Sequence, residues 1–197
     1  LYDAAVAAME AKQYQQAIGL YDQFIELYPN HSFTADAAIN RGKCSVLSNI
    51  DTAAPNFEVG MKSLEDFINN NRERSNVADL YPDLVRFGGM VGKGAAERAL
   101  QSKETVENRQ KLVEIAKKGL TIVDRYSSRN EPPVELISGI QSSIQAAEDD
   151  ILKQSTFEAE IENVEQANES GTPMAALDER PNLINSYDKF HDKQILA

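Results

Sequence analysis

Tryptophan is absent from the 197 residues, cysteine occurs once and histidine twice. With Cys44 as the only thiol, no internal disulfide can form. A cysteine-based zinc site also lacks its ligands, because His31 and His191 lie far apart in sequence. A lone thiol fits a reducing compartment, yet a buried one is tolerated outside the cytoplasm, so cytoplasmic and periplasmic or other extracytoplasmic locations stay open. Glycine (10) and proline (7) are sparse, which argues against collagen-like, linker-like and many-turned β architectures. No apolar run approaches the ~20 residues of a bilayer-spanning helix, so no direct membrane insertion is expected of this chain. Basic residues are also scarce. They number 20 against 31 acidic ones, for a net charge of −11. That balance argues against a nucleic-acid partner, which needs a basic footprint, and against docking on an anionic lipid surface.

What is present is a helical pattern. The chain is 42% hydrophobic and 26% charged, as in soluble globular domains. Apolar residues from Tyr2 to Met9 fall on a helical period. Ala17, Leu20, Tyr21, Phe24, Ile25 and Tyr28 repeat it at three- and four-residue steps between Tyr14 and Tyr28. Pro29 and Asn30 end that run, since proline cannot continue the hydrogen-bond ladder. A third helix is expected from about Phe33 to Leu47. Links this short force neighbouring helices to lie antiparallel.

The stretch "AKQYQQAIGLYDQFIELYPN", followed by "ADAAINRGKC", resembles the tetratricopeptide repeat (TPR). Ala17 stands at the small position where paired helices approach, Tyr21 at the aromatic position and Pro29 at the close of the second helix. Gly42 stands at the small position of the next first helix. The resemblance implies antiparallel helix pairs of about 34 residues stacked into a superhelix. Its lengthened link, "PNHSFTADAA", is similar to those of bacterial extracytoplasmic TPR proteins. The family's binding groove is lined by the first helix of each pair, which places Tyr2, Val6, Met9, Asp36, Ile39, Asn40 and Lys43 in a candidate protein-binding groove. Capture of chaperone C-termini by a carboxylate clamp is not expected, because Tyr2 and Val6 stand where polar groups would be needed.

Further along, the pattern degenerates without changing kind. Helices are expected over Phe57–Ile68, Asn76–Leu100 with a bend at Pro82, and Val106–Tyr126. Pro133 suits the first turn of the next helix. Ile137, Ile140, Ile144, Ala147 and Ile151 then make a narrow seam. The stripe restarts six residues later at Phe157, Ile161 and Val164, which predicts a break near Gln154 to Thr156. "NESGTP" reads as a turn and "MAALDERPNLINSYDKF" as part of another degenerate helical pair. Without strand-like alternation of useful length, the expected fold is all-α: a TPR-like α-solenoid of about nine helices. Its expected divisions are 1–49, a repeat plus the first helix of the next; 50–130, degenerate repeats; and 131–197, a long helix plus a further pair. A helical pattern already running at Leu1 and still running at the end is expected of a fragment of a longer, multidomain bacterial protein.

Candidate chemistry is thin. "GGMVGKGAAERA" fails as a phosphate loop, because Lys93 is followed by Gly94 and no strand leads in. Gly88, Gly92 and Ala95 are instead expected to make a flat helix face for close packing. Eight carboxylates lie between Glu148 and Glu169 against a single Lys153. Of these, Glu158, Glu162, Glu165 and Glu169 share one helix face and form a candidate acidic docking face. The chain has no Glu-x-x-His motif for a di-metal bundle site and no glycine-centred calcium loop. Cys44 reads as a packed helix residue and His31 as a surface or capping residue.

No catalytic residue, cofactor or metal is therefore expected. The expected function is a non-enzymatic scaffold that docks a protein partner or an extended peptide segment, with its oligomeric state open. An extracytoplasmic envelope-assembly TPR lipoprotein is one alternative. A helical regulatory domain of an enzyme is the other, and it would need His31 or His191 to converge with a carboxylate in a closed pocket.

Overall fold

Seven α-helices and one short 3-10 helix account for the regular structure in the computed structural model, which describes residues 1–101, 104–128 and 132–169. No strand occurs among the described residues, so the fold is all-α. The helices are α1 (Tyr2–Glu10), α2 (Tyr14–Leu27), α3 (Thr34–Ile50), α4 (Phe57–Asn71), α5 (Tyr81–Ala99), α6 (Val106–Tyr126) and α7 (Val134–Glu169). The 3-10 helix, Val77–Leu80, leads into α5. The expected turn at "NESGTP" and the helical pair after it lie outside the described residues, apart from Asn168 and Glu169, which close α7.

Local chemistry sets the boundaries. At the end of α1 the Gln13 and Lys12 N–H groups donate to the carbonyls of Ala8 (2.8 Å) and Met9 (3.0 Å). This pairing needs a left-handed residue between helix and turn, and Lys12 occupies it at φ 58° where glycine is usual. Beyond α2, the Thr34 hydroxyl and the His31 N–H both donate to the Tyr28 carbonyl, satisfying a group the helix leaves open. Asn56 and Thr105 cap α4 and α6 through side-chain oxygens that accept from Val59 and Asn108. Pro82 does not bend a helix interior. It lies in the first turn of α5, where its missing N–H is not needed.

The helices pack chiefly against their sequence neighbours, with further contacts of α3 and α7 on α5 and of α4 on α6. Ala17 and Tyr21 are fully buried where α1, α2 and α3 meet. Two apolar clusters result. One joins α1–α4 to the first half of α5 through Leu84, Phe87 and Val91. The other joins Ala95, Ala96 and Ala99 of α5 to α6 and α7. Helix α5 is thus shared by both.

Its contact with α6 brings backbone close to backbone. A Cβ added at Gly119 would lie 2.7 Å from the Gly88 carbonyl oxygen and 2.7 Å from the Gly92 backbone. The glycines of "GGMVGKGAAERA" are therefore a packing surface for another helix. At the far end of the same pair, Arg109 is completely buried. Its Nε donates to the Ala99 carbonyl, Nη1 to Gln154 Oε1 and Nη2 to Asp150 Oδ2, each at 2.6 Å. One guanidinium thereby satisfies the end of α5 and pins α7 to α6.

The expected break near Gln154 to Thr156 is absent, and α7 runs unbroken through all 36 residues. The physical reason lies in its partners. Gln154 is held by Arg109 in the first turn of α6, and beyond that point α7 runs past the end of α6. With the buried guanidinium anchoring Asp150 and Gln154 just before the stripe changes register, the backbone carries that change without a break.

The glycine contacts make opposite demands on stability. Gly119→Ala should destabilise by about 1–3 kcal/mol, because backbone cannot yield as a side chain can. Gly19→Ala and Gly139→Ala, which meet nothing within 4 Å, should each stabilise their helices by about 0.5–1 kcal/mol. Urea titration of the three variants decides whether α5 and α6 touch as described. In the same assay Arg109→Met should cost about 3 kcal/mol, since it removes all three of the guanidinium's hydrogen bonds and leaves the Ala99 carbonyl without that donor. Asp150→Asn keeps an oxygen acceptor and should cost clearly less. Equal losses would show that the guanidinium is not the central group.

Candidate functional site

The candidate groove residues divide by chemistry. Tyr2, Val6 and Met9 of α1 are half-buried against the first cluster, and Ile39 of α3 lies within it. Tyr2 stacks on Phe33 at 5.0 Å and meets Tyr21 edge-on at 6.0 Å. Asn40 lies beside the Tyr21 hydroxyl, short of a well-formed hydrogen bond, and burial pushes that phenol up to about 12. Lys43 pairs with Asp83 of α5 at 2.6 Å in a mostly buried setting. Asp83 also holds Arg86 at 3.2 Å, and the Arg86 guanidinium sits 4.7 Å over the Phe87 ring. Lys43, Asp83 and Arg86 thus form a charged line from α3 to α5. Asp36 is not part of it; it is exposed in the first turn of α3, close to Phe33. Sequence reasoning missed Asp83, because only the non-adjacent packing of α3 on α5 brings it to Lys43.

A second polar constellation joins the α1–α2 corner to the end of α3. Asp51 accepts from the Tyr14 hydroxyl at 2.5 Å and from Lys12 Nζ at 3.1 Å. The Tyr14 hydrogen bond, helped by Lys12, holds the Asp51 carboxyl below its ordinary range. Burial, reinforced by Asp51, pushes the Tyr14 phenol up to about 12. A phenol so raised stays protonated and donates; it is no general base. The cleft beside it, about 460 Å³, is broad and open to solvent.

The acidic run on α7 falls into two parts. Glu148 pairs with Lys117 at 2.9 Å, Asp150 is held by Arg109, and Asp149 accepts from Gln145. Downstream, Glu158, Glu162 and Glu165 are exposed on one face of α7, with glutamine amides from Gln154 and Gln166 on the first two. Glu169 closes the helix, and its side chain lies outside the described residues. Glu160 points elsewhere: it is half-buried, and one carboxylate oxygen is enclosed with no hydrogen-bond partner among the described residues.

Reactive groups are not poised. Burial pushes the Cys44 thiol up to about 11, which keeps it protonated and unreactive. His31 is exposed, and its Nδ1 accepts from the Phe33 N–H at 3.1 Å. His191 lies outside the described residues. Among the described residues no group of three His, Cys, Asp or Glu side chains is arranged to hold a metal ion. A cleft of about 420 Å³ opens between the α3–α4 link and the start of α6. The arginine that lines it, Arg98, is already bound to Glu104 and to the Pro55 carbonyl.

The Tyr14–Asp51 pair gives the fold a defined response to pH. A depressed carboxyl contributes stability that is complete above its unfolded value of about 3.9 and is lost as pH falls through its lower folded value. A raised phenol works in the other direction. Its contribution is complete below an unfolded value of about 10 and is lost as pH rises toward about 12. Tyr14→Phe should therefore cost about 2 kcal/mol at neutral pH and flatten the stability profile in both windows. Acid and alkaline unfolding monitored by circular dichroism measures this. A variant profile parallel to the parent's would dissociate the pair from folding.

In comparison with known proteins, no family model, no curated protein and no solved structure matches this chain.

Proposed function

We propose that the chain is a non-enzymatic docking module, a TPR-like helical array that holds a partner protein or an extended peptide segment. What carries the proposal is the division of charge along α7. Carboxylates facing the body are paired with Lys117 and Arg109, while Glu158, Glu162 and Glu165 stand exposed beyond the end of α6. Exposed like charges cost folding energy through mutual repulsion and are relieved when a basic surface meets them. Adjacent helices packed in chain order, with the small residue Ala17 and the aromatic Tyr21 fully buried between them, support the repeat reading. The lipoprotein and regulatory-domain alternatives would use the same surfaces and differ in what accompanies this chain.

Capture from a host lysate should weaken as salt rises, because exposed charge pairs are screened beyond roughly 8 Å at physiological salt. The triple variant Glu158→Lys, Glu162→Lys and Glu165→Lys should lose the captured protein while keeping its helical content. Retention unchanged would remove α7 as the docking face. Saturable nucleotide binding in calorimetry would overturn the non-enzymatic proposal altogether.

A further inference from the structure

The N-terminus of α1, the C-terminus of α2 and the N-terminus of α3 meet at one end of the molecule, and that end is aromatic. Tyr2 stacks on Phe33, His31 lies 5.3 Å from Phe33 and 5.4 Å from Phe24, and Tyr28 lies 5.4 Å from Phe24. Phe24 is buried, but the outer members are open. Leu27 is 63% exposed, Tyr28 49% and Phe33 47%. Large apolar side chains left open together at one end, rather than scattered, mark a contact surface.

Charge says what the contact is. Asp3 follows Tyr2 in the first turn of α1, and Asp36 lies in the first turn of α3, three residues after Phe33. Glu26, in the last turn of α2, stands between Phe24 and Tyr28 in sequence. All three are exposed and none forms an ion pair among the described residues, whereas Asp22 is taken by Arg41 at 3.0 Å. Lys12 is the sole lysine or arginine before Arg41, and it sits at the opposite end of α1, bound to Asp51. The end therefore carries exposed aromatic and apolar side chains together with exposed carboxylates that no lysine or arginine pairs among the described residues. Ring faces attract cations, and arginine above all, as do the carboxylates.

We infer that this end docks a partner segment in which arginine or lysine alternates with large apolar residues. The apolar side chains cover Leu27, Tyr28 and Phe33, and the cations meet the rings and the carboxylates of Asp3, Glu26 and Asp36. A second copy of the chain is a poor occupant, since it would bring the same carboxylates and a further net charge of −11. The inference rests on the docking function proposed above but uses a different surface from α7.

The test is calorimetric titration of the whole chain with a short synthetic peptide of leucine, phenylalanine and arginine, against versions carrying glutamine or glutamate for arginine. The arginine peptide should bind saturably at one site, more tightly than the glutamine version and far more tightly than the glutamate version. Leu27→Ser with Tyr28→Ser, and separately Phe33→Ser, should each weaken it by about tenfold. Asp3→Asn with Asp36→Asn should weaken it several-fold and reduce its salt dependence. The first pair lies on the open surface, so its effect does not depend on a tolerated change at the Tyr2 stack. The α7 triple lysine variant should bind this peptide as the parent does, even if that variant loses the lysate partner. No saturable binding, equal affinity for the arginine and glutamine peptides, or indifference to the Leu27 and Tyr28 changes would overturn the inference. So would self-association, seen in sedimentation, that is abolished by those changes. Flotation with neutral phosphatidylcholine vesicles would also overturn it, by assigning the face to lipid.

Discussion

Backbone lies against backbone where α5 crosses α6, and the rest of the molecule is arranged around that contact. Only glycine permits it, since a single Cβ at Gly119 would collide with the main chain of Gly88 and Gly92. Glycine in a helix interior costs about 1 kcal/mol relative to alanine. The gain is a long, intimate interface that fixes α5 as the common wall of both apolar clusters. Leu84, Phe87 and Val91 face α1–α4, while Ala95, Ala96 and Ala99 face α6 and α7. Were α5 set further from α6, the two clusters would lose their shared boundary.

Arg109 completes what the glycines begin. A buried guanidinium is expensive unless every donor direction is used, and here the three acceptors come from α5 and α7. The planar fork of arginine can reach a carbonyl, an amide and a carboxylate at once, which a lysine ammonium on a single stem does not reproduce. The charge also sits at the C-terminal end of α5, where the helix dipole favours a cation. Specificity of register between α6 and α7 is the natural outcome, because apolar seams such as Ile140, Ile144 and Ile151 slide more easily than hydrogen bonds do.

Much of this was legible in the sequence. Helix positions came from the three- and four-residue spacing of apolar residues, and the burial of Ala17 and Tyr21 from their places in a repeat-like pattern. The flat face at Gly88 and Gly92 was readable, but Gly119 was not paired with it, because nothing local says which helices cross. The break foreseen near Gln154 failed for a related reason. Nothing local in the sequence says that Arg109 of α6 holds Asp150 and Gln154 immediately before the slip and so keeps the helix continuous. At the candidate sites, the exposed carboxylates of Glu158, Glu162 and Glu165 were legible from helical spacing alone. The loss of Glu148 and Asp150 to internal ion pairs was not, since Lys117 and Arg109 lie on another helix. Asp83 escaped notice for the same reason. The aromatic end was hidden because Tyr2, Tyr28 and Phe33 belong to three different elements, and nothing in the sequence says that their ends converge.

Lys12 carries one consequence for motion. A helix of only nine residues is short enough to open and close independently of the helices after it. Here the residue that closes α1 is held in a left-handed conformation, and its side chain and that of Tyr14 grip the same carboxylate at the end of α3. Detaching α1 at its C-terminal end therefore means releasing Asp51 as well. The corner is built as a latch across three helices, and the amides of α1 should exchange with solvent together with those at the close of α3 rather than ahead of them.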